Sequence, residues 1–155
     1  MKPHHRNFEK RLFKTPKLYF HDAGLAAWLL GVQSAAALDA HPMKGALFET
    51  WAVSELLKGR YNLGRPSNLF FWKDRSGREV DVVIDTGEKL IAVEMKSGQT
   101  IASDFFRGLD SWVRISGDAS AKPWLVYGGS ERQSRAQAEV LPWMEIDELV
   151  RATAG

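Results

Sequence analysis

Four side chains stand out by type and spacing. Asp81, Glu94 and Lys96 follow the pattern Asp-x12-Glu-x-Lys, and a third acid, Glu49, lies upstream in a stretch of helical character. Carboxylates with a lysine two residues from one of them can hold a hard divalent cation and set a water against a phosphodiester. The sequence contains no Cys, and its four histidines, His4, His5, His21 and His41, have no metal-ligand spacing. Thiolate and imidazole zinc sites are thereby set aside, and His4-His5 reads as a solvated pair. An all-oxygen donor set favours Mg²⁺ or Mn²⁺. The expected metal ligands are Asp81, Glu94 and Glu49. Lys96 is expected to orient the attacking water or to neutralise charge in the transition state.

The elements around these residues must bring them together. Leu90 to Lys96 is apolar until Glu94. Strand alternation places Glu94 and Lys96 on one face and Val93 and Met95 on the other. In Glu79 to Asp85 the same rule puts Glu79 and Asp81 on one face, and Val80, Val82 and Ile84 on the other. The short turn Thr86-Gly87-Glu88 makes the two strands antiparallel neighbours, with Asp81 beside Glu94. Gly45 to Arg60 reads as a long helix. Glu49 falls within its apolar stripe, among Gly45, Ala46, Ala52, Val53 and Leu56, with Trp51, Ser54, Glu55 and Lys58 on the far side. Removing the partner of a buried charge costs about 3–5 kcal/mol, so a buried Glu49 demands a partner. Lys96 balances one of three converging acids and a divalent cation would balance the other two. Without the cation, one acid should have a raised pKa. Structural alternatives stand beside this reading. Glu94 and Lys96 could form an ion-pair set on a solvated sheet face, Asp81 could pair with Arg78, and Glu49 with Arg60 or Arg65. Glu79 reads as a structural acid.

The rest of the chain frames these elements. Leu69–Lys73 reads as a strand, Asp104–Ser116 as a helix with Phe105, Leu109 and Trp112 at helical spacing, and Pro123–Tyr127 as a strand. Residues 138–146 read as a last strand broken by Pro142, and Asp147 as the cap of a short final helix. The order is helix, three-stranded meander, helix, strand, strand, which makes an α/β domain with a mixed sheet over residues 44–155. Residues 1–43 form an N-terminal extension: a helix from Ala23 to Leu30, capped by Asp22 and closed by Gly31, then a linker over 32–42 with a weakly helical Ala run. Residues 1–20 carry a net charge of +5 and the remainder −3. Residues 1–15 are therefore expected to be a mobile basic arm, either solvated or able to bind phosphates by counterion release. No apolar run reaches membrane-spanning length and the N-terminus lacks the apolar core of a signal peptide, so the expected location is cytoplasmic, away from membranes.

The residues also carry a family resemblance. Glu49 on a helix, then Asp81, then Glu94-Met95-Lys96 resembles the PD-(D/E)XK nuclease superfamily, whose restriction-endonuclease-like core runs helix, three strands, helix, strand. Pro16-Lys17-Leu18-Tyr19-Phe20-His21-Asp22-Ala23-Gly24-Leu25-Ala26, Gly45-Ala46-Leu47-Phe48-Glu49 and Glu79-Val80-Asp81 are similar to the uncharacterised C-terminal domain of prokaryotic AAA-type ATPases. This chain has no Gly-x4-Gly-Lys-Ser/Thr motif and hence no ATP site of that type. The resemblance implies Mg²⁺-dependent cleavage of DNA, with Asp81, Glu94 and Glu49 on the metal and Lys96 assisting the water. It equally allows a non-catalytic module that binds DNA or an ATPase partner, for which Trp51 and Trp72 are the aromatic surface candidates. A third reading is a regulatory or toxin-like factor that acts through the basic arm.

Overall fold

A computed structural model describes residues 1–4 and 15–153. The described residues form a mixed α/β fold with five α-helices and one seven-stranded sheet. Strands β2 (Leu69–Lys73), β3 (Glu79–Asp85) and β4 (Leu90–Lys96) make an antiparallel meander at its centre. Their bounds match those read from the alternating pattern. Strand β5 (Trp124–Tyr127) joins β4 in parallel, which requires the crossover supplied by helix α4 (Arg107–Ser116). Strand β7 (Glu139–Pro142) continues the parallel run. The edge strands are two residues each: β1 (Lys2–Pro3), parallel to β2, and β6 (Gln133–Ser134), antiparallel to β7.

Helices cover both sheet faces. Helix α3 (Lys44–Asn62) packs its Ala52, Val53 and Leu56 on Val82, Ile84, Val93, Met95 and Val126. Helix α5 (Ile146–Ala152) closes against α3 in the same layer. A Cβ on Gly59 would lie 2.7 Å from Val150 Cγ1, so only glycine permits this approach. On the opposite face, Leu109 and Trp112 of α4 pack on Val83, Leu90, Ala92, Leu125 and Trp72. Helix α1 (Ala23–Leu29) starts at Asp22, whose side chain accepts a bond from Leu25 N, and it ends before Gly31, as its residue types require.

Several expectations are corrected. The N-terminal residues are not all a free arm: Lys2 and Pro3 pair with β2, His4 donates its backbone N–H to Phe71 O, and the His4 ring is buried against Phe70 and Trp112. The solvated reading of His4 fails because two aromatic edges and an open strand edge recruit it. His5 and the rest of the expected arm, residues 5–14, lie outside the described residues. The weakly helical Ala run of the 32–42 linker is a formed helix, α2 (Ala35–Ala40), capped by Ser34. On the far side of α3, Ser54 is buried and donates to His21 O, and α1 packs against the helix. Trp72 is buried at 1% exposure between the sheet and Trp112, so it cannot serve as a surface contact. The last strand ends at Pro142, a 3-10 turn follows over Trp143–Glu145, and Asp147 sits within the first turn of α5 without capping it.

Candidate functional site

The central strands position the acids through a break in their own regularity. Phe70 pairs with Val83, but Trp72 pairs with Val80. One residue of β2, Phe71, therefore faces two of β3, Asp81 and Val82: a β-bulge. The bulge reverses the alternation. Val80 joins the core beneath α4, whereas Val82 and Ile84 join the core beneath α3. The single face expected for Val80, Val82 and Ile84 is thus split. The β3–β4 ladder runs from Asp85↔Leu90 to Val82↔Val93, and one step further would set Asp81 opposite Glu94. There the Asp81 side chain takes over from the backbone, accepting a hydrogen bond from Met95 N at 2.8 Å. Asp81 and Glu94 are neighbours, as the short turn implied.

Glu94 alternates with Val93 and Met95 and points to the α4 side. Its side chain is 9% exposed, and Oε1 accepts an ion pair from Lys96 Nζ at 2.6 Å. Its other oxygen, Oε2, is buried without a hydrogen-bond partner. Gly108, in the first turn of α4, covers this oxygen: a Cβ there would lie 3.2 Å from Oε2 and 2.5 Å from Glu79 O. A buried carboxylate oxygen with no donor is costly unless the group is protonated or a cation is present.

Glu49 reaches toward the site from α3 and meets residues that the sequence did not flag. Its Oε1 accepts from Lys17 Nζ at 3.0 Å and from the Tyr19 hydroxyl. Lys17 also forms an ion pair with Glu79, and Glu79 pairs with Lys73 at 2.6 Å. Two of the alternative partners, Arg60 and Arg78, are engaged elsewhere. Arg60 donates to Pro66 O and Thr153 O, and Arg78 binds Asp74. Among the described residues, no group of three or more His, Asp or Glu side chains is arranged to hold a metal ion. Asp81 and Glu94 are close, whereas Glu49 is held by Lys17 and Tyr19. The only sequence signal for these two was the Pro16-to-Ala26 wording, which carries no chemistry by spacing.

The electrostatics follow from this arrangement. Burial, then the charges of Glu94 and Glu49, push the Asp81 carboxyl up to about 8, against the pull of Lys96 and the Met95 N–H. Burial also raises Glu94, although Lys96 opposes it. For Lys96, burial lowers the pKa, but Glu94, Asp81 and Glu49 outweigh it and the ammonium is held above its ordinary value. Lys17 behaves likewise under Glu79 and Glu49. Burial and then Glu49 raise the Tyr19 hydroxyl, which stays protonated. The raised pKa expected of one acid therefore falls on Asp81, and the direction of Glu94 is the same.

Beside the site, Phe48, Trp51 and Trp143 form an aromatic wall on a cavity of about 420 Å³ that Ser97 and Gly128 also line. No helix among the described residues is long and apolar enough to cross a membrane.

Comparison with known proteins places this arrangement in a family. Residues 1–36 match a domain of unknown function, DUF8612. Two relatives, the uncharacterized proteins Mb2031c of Mycobacterium bovis and Rv2008c of Mycobacterium tuberculosis, are each 30% identical over 98 residues, which is 63% of this chain and 21% of theirs. The chain thus spans about a fifth of the length of these relatives. Residues 44–146, which hold Glu49, Asp81, Glu94 and Lys96, match the domain of unknown function DUF4143, and the chain belongs to that family.

Proposed function

We propose that this domain is a restriction-endonuclease-like phosphodiester hydrolase of the PD-(D/E)XK type that acts on DNA with Mg²⁺ or Mn²⁺. The observation that carries the reading is the buried, unpartnered Oε2 of Glu94 beside Asp81, with Lys96 on the other oxygen of the same carboxylate. The donor set fits the ion: two carboxylates suffice for Mg²⁺, which keeps its waters and takes substrate oxygens for the rest. When bound, such an ion lowers the pKa of a water and neutralises charge on the phosphate. Asp81 and Glu94 would hold it, and Asp81 gives up its proton to do so. Lys96, fixed by Glu94, stands where its ammonium can hold a water or donate to a phosphate oxygen. Glu49 is an accessory group.

Incubation of supercoiled plasmid and single-stranded DNA with Mg²⁺ or Mn²⁺ tests the reading. The expected result is cleavage that Asp81→Ala and Lys96→Ala both abolish. Cleavage that survives both substitutions, or none from the folded wild type, overturns it.

A second reading has its own observation. The segment through α1 exposes Leu18 at 95%, Trp28 at 71% and Leu29 at 59%, a surface suited to a protein partner such as an ATPase domain. In that case the domain is a non-catalytic binding module. Calorimetry showing no Mg²⁺ or Mn²⁺ uptake, with ATPase or DNA binding retained, would favour it.

A further inference from the structure

Two residues of the candidate site come from outside the segment that carries the acids. Lys17 and Tyr19 fall in the match over residues 1–36, whereas the acids fall in the match over residues 44–146. A short stretch of chain, Pro16 to Phe20, runs beside α3 and delivers both side chains to Glu49. Its backbone is tied to the N-terminal residue, since Lys17 N donates to Met1 O at 3.1 Å. The Lys17 ammonium stands between two carboxylates, Glu49 and Glu79, and lies 5.5 Å from the centre of the Phe71 ring. Phe71 is the β2 residue opposite the bulge that holds Asp81. The side chain of Lys17 is 26% exposed, so its charge is only partly screened by water.

We propose that Lys17 acts as a built-in cation that competes with a divalent ion for Glu49, with Tyr19 as the positioning residue that fixes Glu49 toward it. The inference rests on the metal reading above and extends it to a residue from the second matched segment. While Lys17 holds Glu49, the ion has only Asp81 and Glu94 from the protein. When Lys17 withdraws, Glu49 becomes a third ligand and a positive charge leaves the neighbourhood of the ion. Both changes strengthen binding. Glu79 keeps Lys73 as its partner, so withdrawal of Lys17 does not leave it uncompensated.

Calorimetric titration with Mn²⁺ of the full chain and its variants tests the proposal, with no need for activity. Lys17→Met keeps the length of the apolar stem and removes the charge. It should bind Mn²⁺ at least about tenfold more tightly than wild type, whereas Lys17→Arg should not. Glu49→Gln should erase the gain in the Lys17→Met background. Thermal melts confirm that each variant is folded, and Tyr19→Phe, which keeps the ring and frees Glu49 in part, should give a smaller gain in affinity. If wild type binds Mn²⁺ and neither Lys17→Met nor Tyr19→Phe binds it more tightly, the competition is refuted and the metal reading stands. If no folded form binds Mn²⁺, both fail together.

Discussion

Replacing Asp81 by Asn isolates the electrostatic claim on which the site depends. Asn keeps an oxygen to accept from Met95 N–H and carries no charge. In the wild type the Asp81 carboxyl rises from an ordinary value of 3.8 to about 8. Between those values the folded protein holds a proton that the unfolded chain has released. The contribution of this group to stability is fully present below pH 3.8 and is lost as pH rises to about 8. The loss proceeds at about 1.4 kcal/mol per pH unit, so the advantage of Asp81→Asn over wild type should widen by about 3 kcal/mol between pH 5 and pH 7.5. Urea unfolding in metal-free buffer, followed by tryptophan fluorescence, measures both proteins at each pH. Saturating Mn²⁺ should then narrow the gap at pH 7.5, because only the wild type gains a ligand. A gap that stays constant across this range would refute the account of a buried acid with two negative neighbours.

Other consequences are more local. Gly108→Ala forces a Cβ to within 2.5 Å of Glu79 O, and should lower stability by about 1–3 kcal/mol, read from the urea midpoint. Trp112→Ala empties the centre of the layer between α4 and the sheet, and should cost about 3–5 kcal/mol by the same measurement. Arg60→Met leaves the carbonyls of Pro66 and Thr153 without their donor, and should cost about 1–3 kcal/mol, with faster amide exchange at the end of α5. Asp22→Ala removes the cap of α1 and should cost about 1 kcal/mol in a thermal melt.

The central strands were legible because their residues alternate and their turns are short. Leu69–Lys73, Glu79–Asp85 and Leu90–Lys96 were each read to the residue. The adjacency of Asp81 and Glu94 was legible for the same reason. The bulge at Asp81–Val82 was not, since it depends on pairing with β2 and leaves no mark on the composition of β3. The partner of Glu49 was also hidden. A helical wheel names the neighbours on α3 itself, but Lys17 and Tyr19 are 32 and 30 residues away in sequence. The edge strand Lys2–Pro3 was missed because two residues carry no periodicity. Trp72 was misplaced because an aromatic residue in a strand gives no clue to which face of the sheet is open.

The bulge in β3 has a consequence for how this domain can change over time. It works as a phase shift in the strand: the even-numbered position before Asp81, Val80, faces α4, whereas the even-numbered positions after it, Val82 and Ile84, face α3. Substitutions leave that phase intact, whatever side chain they introduce. Deleting one residue at Asp81 or Val82, or adding one to β2 opposite them, would cancel it and turn Glu79 and Val80 over together, exchanging an ion-paired acid for an apolar core contact. The strands around the site should therefore tolerate many exchanges of residue type but no change of length.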